Sequence, residues 1–96
     1  MDYLVEELRL IELRPAMYIG KKSLTTLHDY MMGYKTCLQR LGYSTMIFSG
    51  EFHAYAEKRY GKQNSFGWYG LIRNELPDEE QAFDKFFALL HDYLNE

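Results

Sequence analysis

Apolar residues recur along this chain at helical spacing, broken by Pro, Gly and short polar runs. Behind Asp2, a good N-cap, Leu4, Val5, Leu8 and Ile11 fall on one face and predict a first helix. Pro15 biases the residue before it away from helical geometry, so this helix ends near Leu13. Ser23 opens a second helix whose stripe is Leu27, Tyr30, Met31, Tyr34, Leu38 and Leu41, closed by Gly42 at the position after the cap. Gly33 lies inside it at a cost of about 1 kcal/mol against Ala, which marks a close helix–helix approach. Phe52, Tyr55, Ala56, Arg59 and Tyr60 predict a third helix over about 50–60, ended by Gly61. After the polar loop Lys62-Gln63-Asn64, Ser65 is the expected cap of a short helix carrying Trp68, Leu71 and Ile72. Pro77 at the first helical position and Asp78-Glu79-Glu80 in the first turn open the last helix with the charge its dipole favours. Its apolar face is Phe83, Phe86, Phe87, Leu90, Tyr93 and Leu94.

Between these helices, Thr45-Met46-Ile47-Phe48 reads either as a short strand or as an extended connector. No second convincing strand offers it a partner, so the connector is favoured. The expected fold is therefore mainly α: a single domain over 1–96 with four to five helices and at most one short extended segment around 44–48. A chain of 96 residues buries about two-thirds of its unfolded surface, and 17% aromatic content lets rings supply much of a small core. One cysteine, Cys37, excludes an internal disulfide and fits a reducing compartment; the expectation is a small core residue. No apolar run approaches the ~20 residues of a membrane span, and the N-terminal segment is acidic and amphipathic, unlike a signal peptide. A soluble cytoplasmic protein is expected.

The net charge of −3 conceals an uneven distribution. Residues 1–20 hold four acids and two bases, residues 21–74 three acids and eight bases, and residues 75–96 seven acids and one base. An acidic terminal helix repels nucleic acid and attracts basic protein surfaces. The basic middle is scattered, with only Lys21-Lys22 and Lys58-Arg59 adjacent, so direct nucleic-acid binding is not expected.

No catalytic or metal constellation emerges. His28, His53 and His91 fall on three different predicted helices without ligand spacing, and nothing near Cys37 in sequence supplies a base. Asp78, Glu79 and Glu80 are explained by their place at a helix start. No cofactor and no metal are expected, and an enzyme is the least favoured class.

The turn Arg14-Pro15-Ala16-Met17-Tyr18-Ile19-Gly20, followed by Leu27-His28, resembles a segment near the start of the gyrase B ATPase domain. Aligned on the Leu-His pair, that family's general-base Glu and magnesium-binding Asn fall on Gly33 and Cys37, which can serve neither role. Its adenine-binding and lid glycines are also missing, so the resemblance does not imply an ATPase. Met17 and Ile19 are instead expected to plug the junction between the first two helices.

A second resemblance covers nearly the whole chain. The Arg14–Gly20 turn, Ser23-Leu24 opening a helix into Gly33-Tyr34, Phe48 and Phe52, Gly67-Trp68, and an acidic helix with Phe83 and Phe86-Phe87 follow in order. In this the chain is similar to small bacterial immunity proteins of toxin–immunity systems, including contact-dependent inhibition. That similarity implies a cognate toxin domain as partner, expected to be a basic nuclease, an RNase first. The candidate partner-binding residues are Glu51, Tyr55, Lys58, Tyr60, Glu75, Asp78, Glu79 and Glu80, with carboxylates opposing a basic toxin cleft. A regulatory or adaptor module binding another protein is the alternative reading, and a small nucleic-acid-binding protein the less favoured third.

Overall fold

Six helices, and no strand, are found among the residues described by the computed structural model, which are 2–45, 48 and 50–96. The Asp2 carboxylate accepts hydrogen bonds from the amides of Leu4 (3.0 Å) and Val5 (3.2 Å), and so starts α1 (Tyr3–Leu13). Leu4, Leu8 and Ile11 on its inner face are fully buried, as the spacing predicts. Arg14 leaves helical geometry, but Pro15 at once opens a separate short helix, α2 (Pro15–Ile19), ended by Gly20 at φ 83°. A proline at a first helical position loses no hydrogen bond, because that amide has no partner within the helix anyway. The expected turn is thus a helix in its own right, and the described residues hold six helices where four to five were expected.

Ser23 caps α3 (Leu24–Arg40) through its hydroxyl, which accepts from the Thr26 amide at 3.3 Å. Leu41 and then Gly42, at φ 85°, close it. Two expectations for this helix are corrected. Gly33 is exposed with open space where a side chain would stand, so it marks no close approach. Cys37 is exposed and Leu41 largely so, because the buried stripe of Leu24, Leu27, Met31 and Leu38 is narrower than the apolar pattern. Met17 is likewise 69% exposed and plugs no junction, whereas Ile19 does pack against the core.

Helix α4 (Glu51–Tyr60) buries Phe52 and Ala56 and stops at Gly61, φ 68°. For α5 (Gly67–Glu75) the start is organised by Asn64 instead of Ser65: its side-chain oxygen accepts from the Phe66 amide at 2.8 Å. That amide group also lies against Gly70, where a Cβ would displace it from its place at the helix start. Asp78, expected in the first turn, is instead the cap of α6 (Glu79–Tyr93), accepting from the Gln81 amide at 2.9 Å, and Pro77, expected at the first helical position, lies one residue before the cap.

Helix α6 is the centre of the packing and touches α3, α4 and α5, while α1 rests on α2 and α3. Its Ala82, Phe83, Phe86, Phe87, Leu89 and Leu90 are all buried. Phe86 gathers the rings: Trp68 lies at 4.7 Å, Phe87 at 5.0 Å and Phe52 at 5.6 Å between centroids. Offset and edge-to-face pairs at such separations each add about 0.5–1.5 kcal/mol beyond area burial. The question of a strand around 44–48 falls largely outside the described residues; Tyr43, Ser44 and Thr45 are in no regular element.

Candidate partner-binding surface

The eight candidate residues do not form one patch. They separate into two small clusters across α4, α5 and α6, with three residues at the start of α6. In the first cluster the Tyr93 hydroxyl donates to Glu51 at 3.1 Å, and the Tyr55 ring meets the Tyr93 ring edge-on at 5.0 Å. Arg59 donates to the Tyr55 hydroxyl (2.5 Å) and pairs with Asp92 at 3.4 Å. In the second, the Tyr60 hydroxyl donates to Glu75 at 3.2 Å beside Lys85, whose ammonium lies 5.9 Å from the Tyr60 ring centre. Burial and the Glu75 carboxylate push the Tyr60 phenol up to about 12. Arg59, Tyr60, Glu75, Lys85 and Leu89 line a shallow hollow of about 110 Å³. Lys58 stands exposed on α4 between the two clusters in sequence.

At the start of α6 the three acids differ in what they hold. Asp78 caps the helix and Glu80 is exposed. Glu79 turns toward α3: its carboxylate accepts from the Thr25 amide at 3.0 Å and the Thr25 hydroxyl at 2.6 Å, with Arg73 at 3.6 Å. Partial burial pushes this carboxyl up, but the Thr25 bonds and Arg73 outweigh it and hold the group below its ordinary value. Tyr69 closes the group through a 2.7 Å hydroxyl–hydroxyl bond to Thr25.

Compared with known protein families, curated proteins and solved structures, the chain matches none.

The sequence gives no warning of a second site, a cleft of about 210 Å³ between α3, α4 and the start of α5. Leu4, Met31 and Phe48 form its buried apolar wall, Trp68 lines it, and Lys35, His28 and His53 supply its polar groups. Met32 (47% exposed) and Phe66 (76% exposed) stand at the same cleft. The available signals are weak: adjacent Met31 and Met32 cannot both face inward, and Phe66 is an aromatic directly after a polar loop. His28 stacks on Tyr69 at 4.4 Å and meets Trp68 at 5.5 Å, and burial pushes its imidazole below the ordinary value. Lys35 donates to the Phe48 carbonyl at 2.7 Å and has no carboxylate partner among the described residues. Gly67, at φ 65°, lies against His53, whose Nδ1 is buried without a hydrogen-bond partner among the described residues.

A third feature is the exposed apolar group Leu10, Leu13 and Met17, which with Arg14 and Tyr18 lines an open hollow of about 400 Å³. Among the described residues no cluster of His, Cys, Asp or Glu is placed to hold a metal, and no helix is long and apolar enough to cross a membrane. His91 lies in an ionic cluster instead, with Glu96 at 2.7 Å and Glu12 at 2.9 Å.

Proposed function

We propose that this chain is an immunity-type inhibitor, a small protein that binds a cognate toxin domain and blocks it by occlusion. The observation that carries the reading is the placement of its exposed large apolar side chains. Phe66 and Met32 lie at one cleft and Leu10, Leu13 and Met17 at another hollow, while Leu41, Tyr43 and Tyr3 are exposed outside both. Grouped apolar side chains in water mark an interaction surface more often than a folding requirement.

The sequence resemblance supplies the class of partner, a toxin domain, with a nuclease that cuts RNA the first expectation. The exposed carboxylates Glu51, Glu75, Asp78 and Glu80 stand in for substrate phosphates and steer a basic toxin cleft onto this side. Tyr55, Tyr60 and Lys58 lie among them as contact residues. Glu79 contributes its charge while remaining bound to Thr25. An inhibitor of this kind needs no base, nucleophile or metal of its own.

The test is co-expression with the product of the gene immediately upstream. The reading expects a one-to-one complex on co-purification and restored growth in cells that make that product. Neither complex nor rescue would overturn the toxin as partner and leave a regulatory or adaptor module that uses the same exposed apolar groups.

A further inference from the structure

We propose that the α3–α4–α5 cleft seats one aromatic side chain of a protein partner, carried next to an acidic residue of that partner. This rests on the reading of the chain as a protein-binding module. Size is the first argument. At about 210 Å³ the cleft is smaller than the ~300–1,000 Å³ of most small-molecule sites and larger than the ~150 Å³ that holds a benzene ring. One six-membered ring with its first carbons fits.

The wall chemistry selects a ring. Met31 and Met32 are unbranched and polarisable, adapt to an inserted shape, and favour aromatic edges. Trp68 lines the cleft and is already held in place by Phe86 at 4.7 Å, so ordering it costs the complex little.

Charge selects what accompanies the ring. The lining contains a lysine and two histidines; His28 has Asp29 at 4.0 Å and His53 has Glu57 at 3.5 Å, which leaves Lys35 as the cation to be matched. Among the described residues Lys35 spends one of its three N–H groups on the Phe48 carbonyl and pairs with no carboxylate. An acidic neighbour of the inserted ring meets that requirement, whereas a basic one is repelled.

The mouth selects a macromolecule. Phe66 and Met32 line the cleft yet are 76% and 47% exposed, so a protein surface around the inserted ring would cover more of both than a small ligand would. A central anchor ringed by contacts that exclude water is the usual anatomy of a binding hot spot.

The experiment is an NMR titration of the whole chain with the capped tripeptide acetyl-Glu-Phe-Glu-amide, set against the Lys-Phe-Lys and Glu-Ala-Glu analogues. The expected result is saturable shifts at the Trp68 indole N–H and the Met31 and Met32 methyls, with a dissociation constant of roughly 1–10 mM. The Lys analogue should bind about fivefold more weakly and the Ala analogue should not saturate. Lys35→Gln should erase the preference for Glu over Lys, and Phe66→Ser should weaken the Phe peptide on an intact fold.

Equal binding of the Phe and Ala peptides, a preference for the Lys peptide, or no saturable shift at these residues would overturn the proposal. Because the probe is a peptide, the result stands apart from the upstream gene product. Peptide binding without a toxin complex would uphold the cleft and remove the toxin; a complex with an inert cleft would do the reverse.

Discussion

At the start of α6 the Glu79 carboxylate is engaged by the Thr25 amide, the Thr25 hydroxyl and Arg73, and Asp78 is engaged by the Gln81 amide. In the α3–α4–α5 cleft, which is linked to that edge through Tyr69 between Thr25 and His28, Lys35 has no counter-ion and His53 Nδ1 no hydrogen-bond partner among the described residues. Both regions are rich in polar groups, and charge counting alone would rank the acidic edge first. The difference lies in whether the bonds are already made. A satisfied polar group holds the fold and contributes a diffuse field; an unsatisfied one still has bonding capacity for a partner. A buried polar group without a partner costs on the order of 1–3 kcal/mol, so its persistence in a small domain is informative. In this account the edge steers association and the cleft anchors the complex.

The largest effect expected is in the ring cluster that backs Trp68 of the cleft. Phe86→Ala should destabilise the chain by about 3–5 kcal/mol in chemical denaturation, because it opens a cavity under Phe52, Phe87 and Trp68. A loss below about 1 kcal/mol would mean that the ring cluster is not the keystone described.

A smaller effect separates the edge from the cleft. Glu79→Ala should cost about 1 kcal/mol, less than the usual worth of bonds to a charged group because the side chain is partly exposed. Phe66→Ser at the cleft should change stability by less than about 0.5 kcal/mol. If denaturation reverses that order, the division between a structural edge and a free cleft fails.

The smallest effect sits outside both regions and checks that charge engagement is legible. The carboxylates of Glu96 and Glu12 raise the His91 pKa, so its contribution is complete below the ordinary value of 6.5 and is lost as pH rises through the elevated folded value. Glu96, held down at about 2 by Arg9 and then His91, contributes above the ordinary 4.5 and loses that contribution as pH falls toward 2. The stability difference between the native chain and His91→Gln should therefore be largest between about pH 5 and 6 and shrink by pH 8. A difference that grows toward pH 8 would contradict the cluster.

Much of the fold is legible in the chain because local signals and burial agree. Asp2 and Ser23 cap the helices they precede, Gly42 and Gly61 close theirs, and the α6 stripe of Phe83, Phe86, Phe87 and Leu90 is buried. The misreadings occur where two chemistries compete for one position. Pro15 ends one helix and begins another, so a break and a start look alike in sequence. Gly33 and Cys37 suit a tight core, yet they point to solvent because α3 extends beyond what the domain can cover. Among the site residues, Tyr60 beside Glu75 joins two helices fifteen positions apart, and periodicity carries no information on such pairing. The cleft was equally hidden, since Lys35, His53 and Phe66 belong to three separate segments and only packing brings them together.

The most direct measurement is the kinetics of binding to the product of the gene immediately upstream, the proposed partner, comparing Phe66→Ser with the double charge reversal Glu75→Lys, Glu80→Lys. Both variants leave the Glu79 and Asp78 bonds intact. The account predicts that Phe66→Ser raises the dissociation rate about tenfold with little change in association. The charge reversal should slow association several-fold, less so at high salt, with dissociation nearly unchanged. Native-like kinetics for both variants would contradict the division of labour, and no association by the native chain would contradict the inhibitor itself.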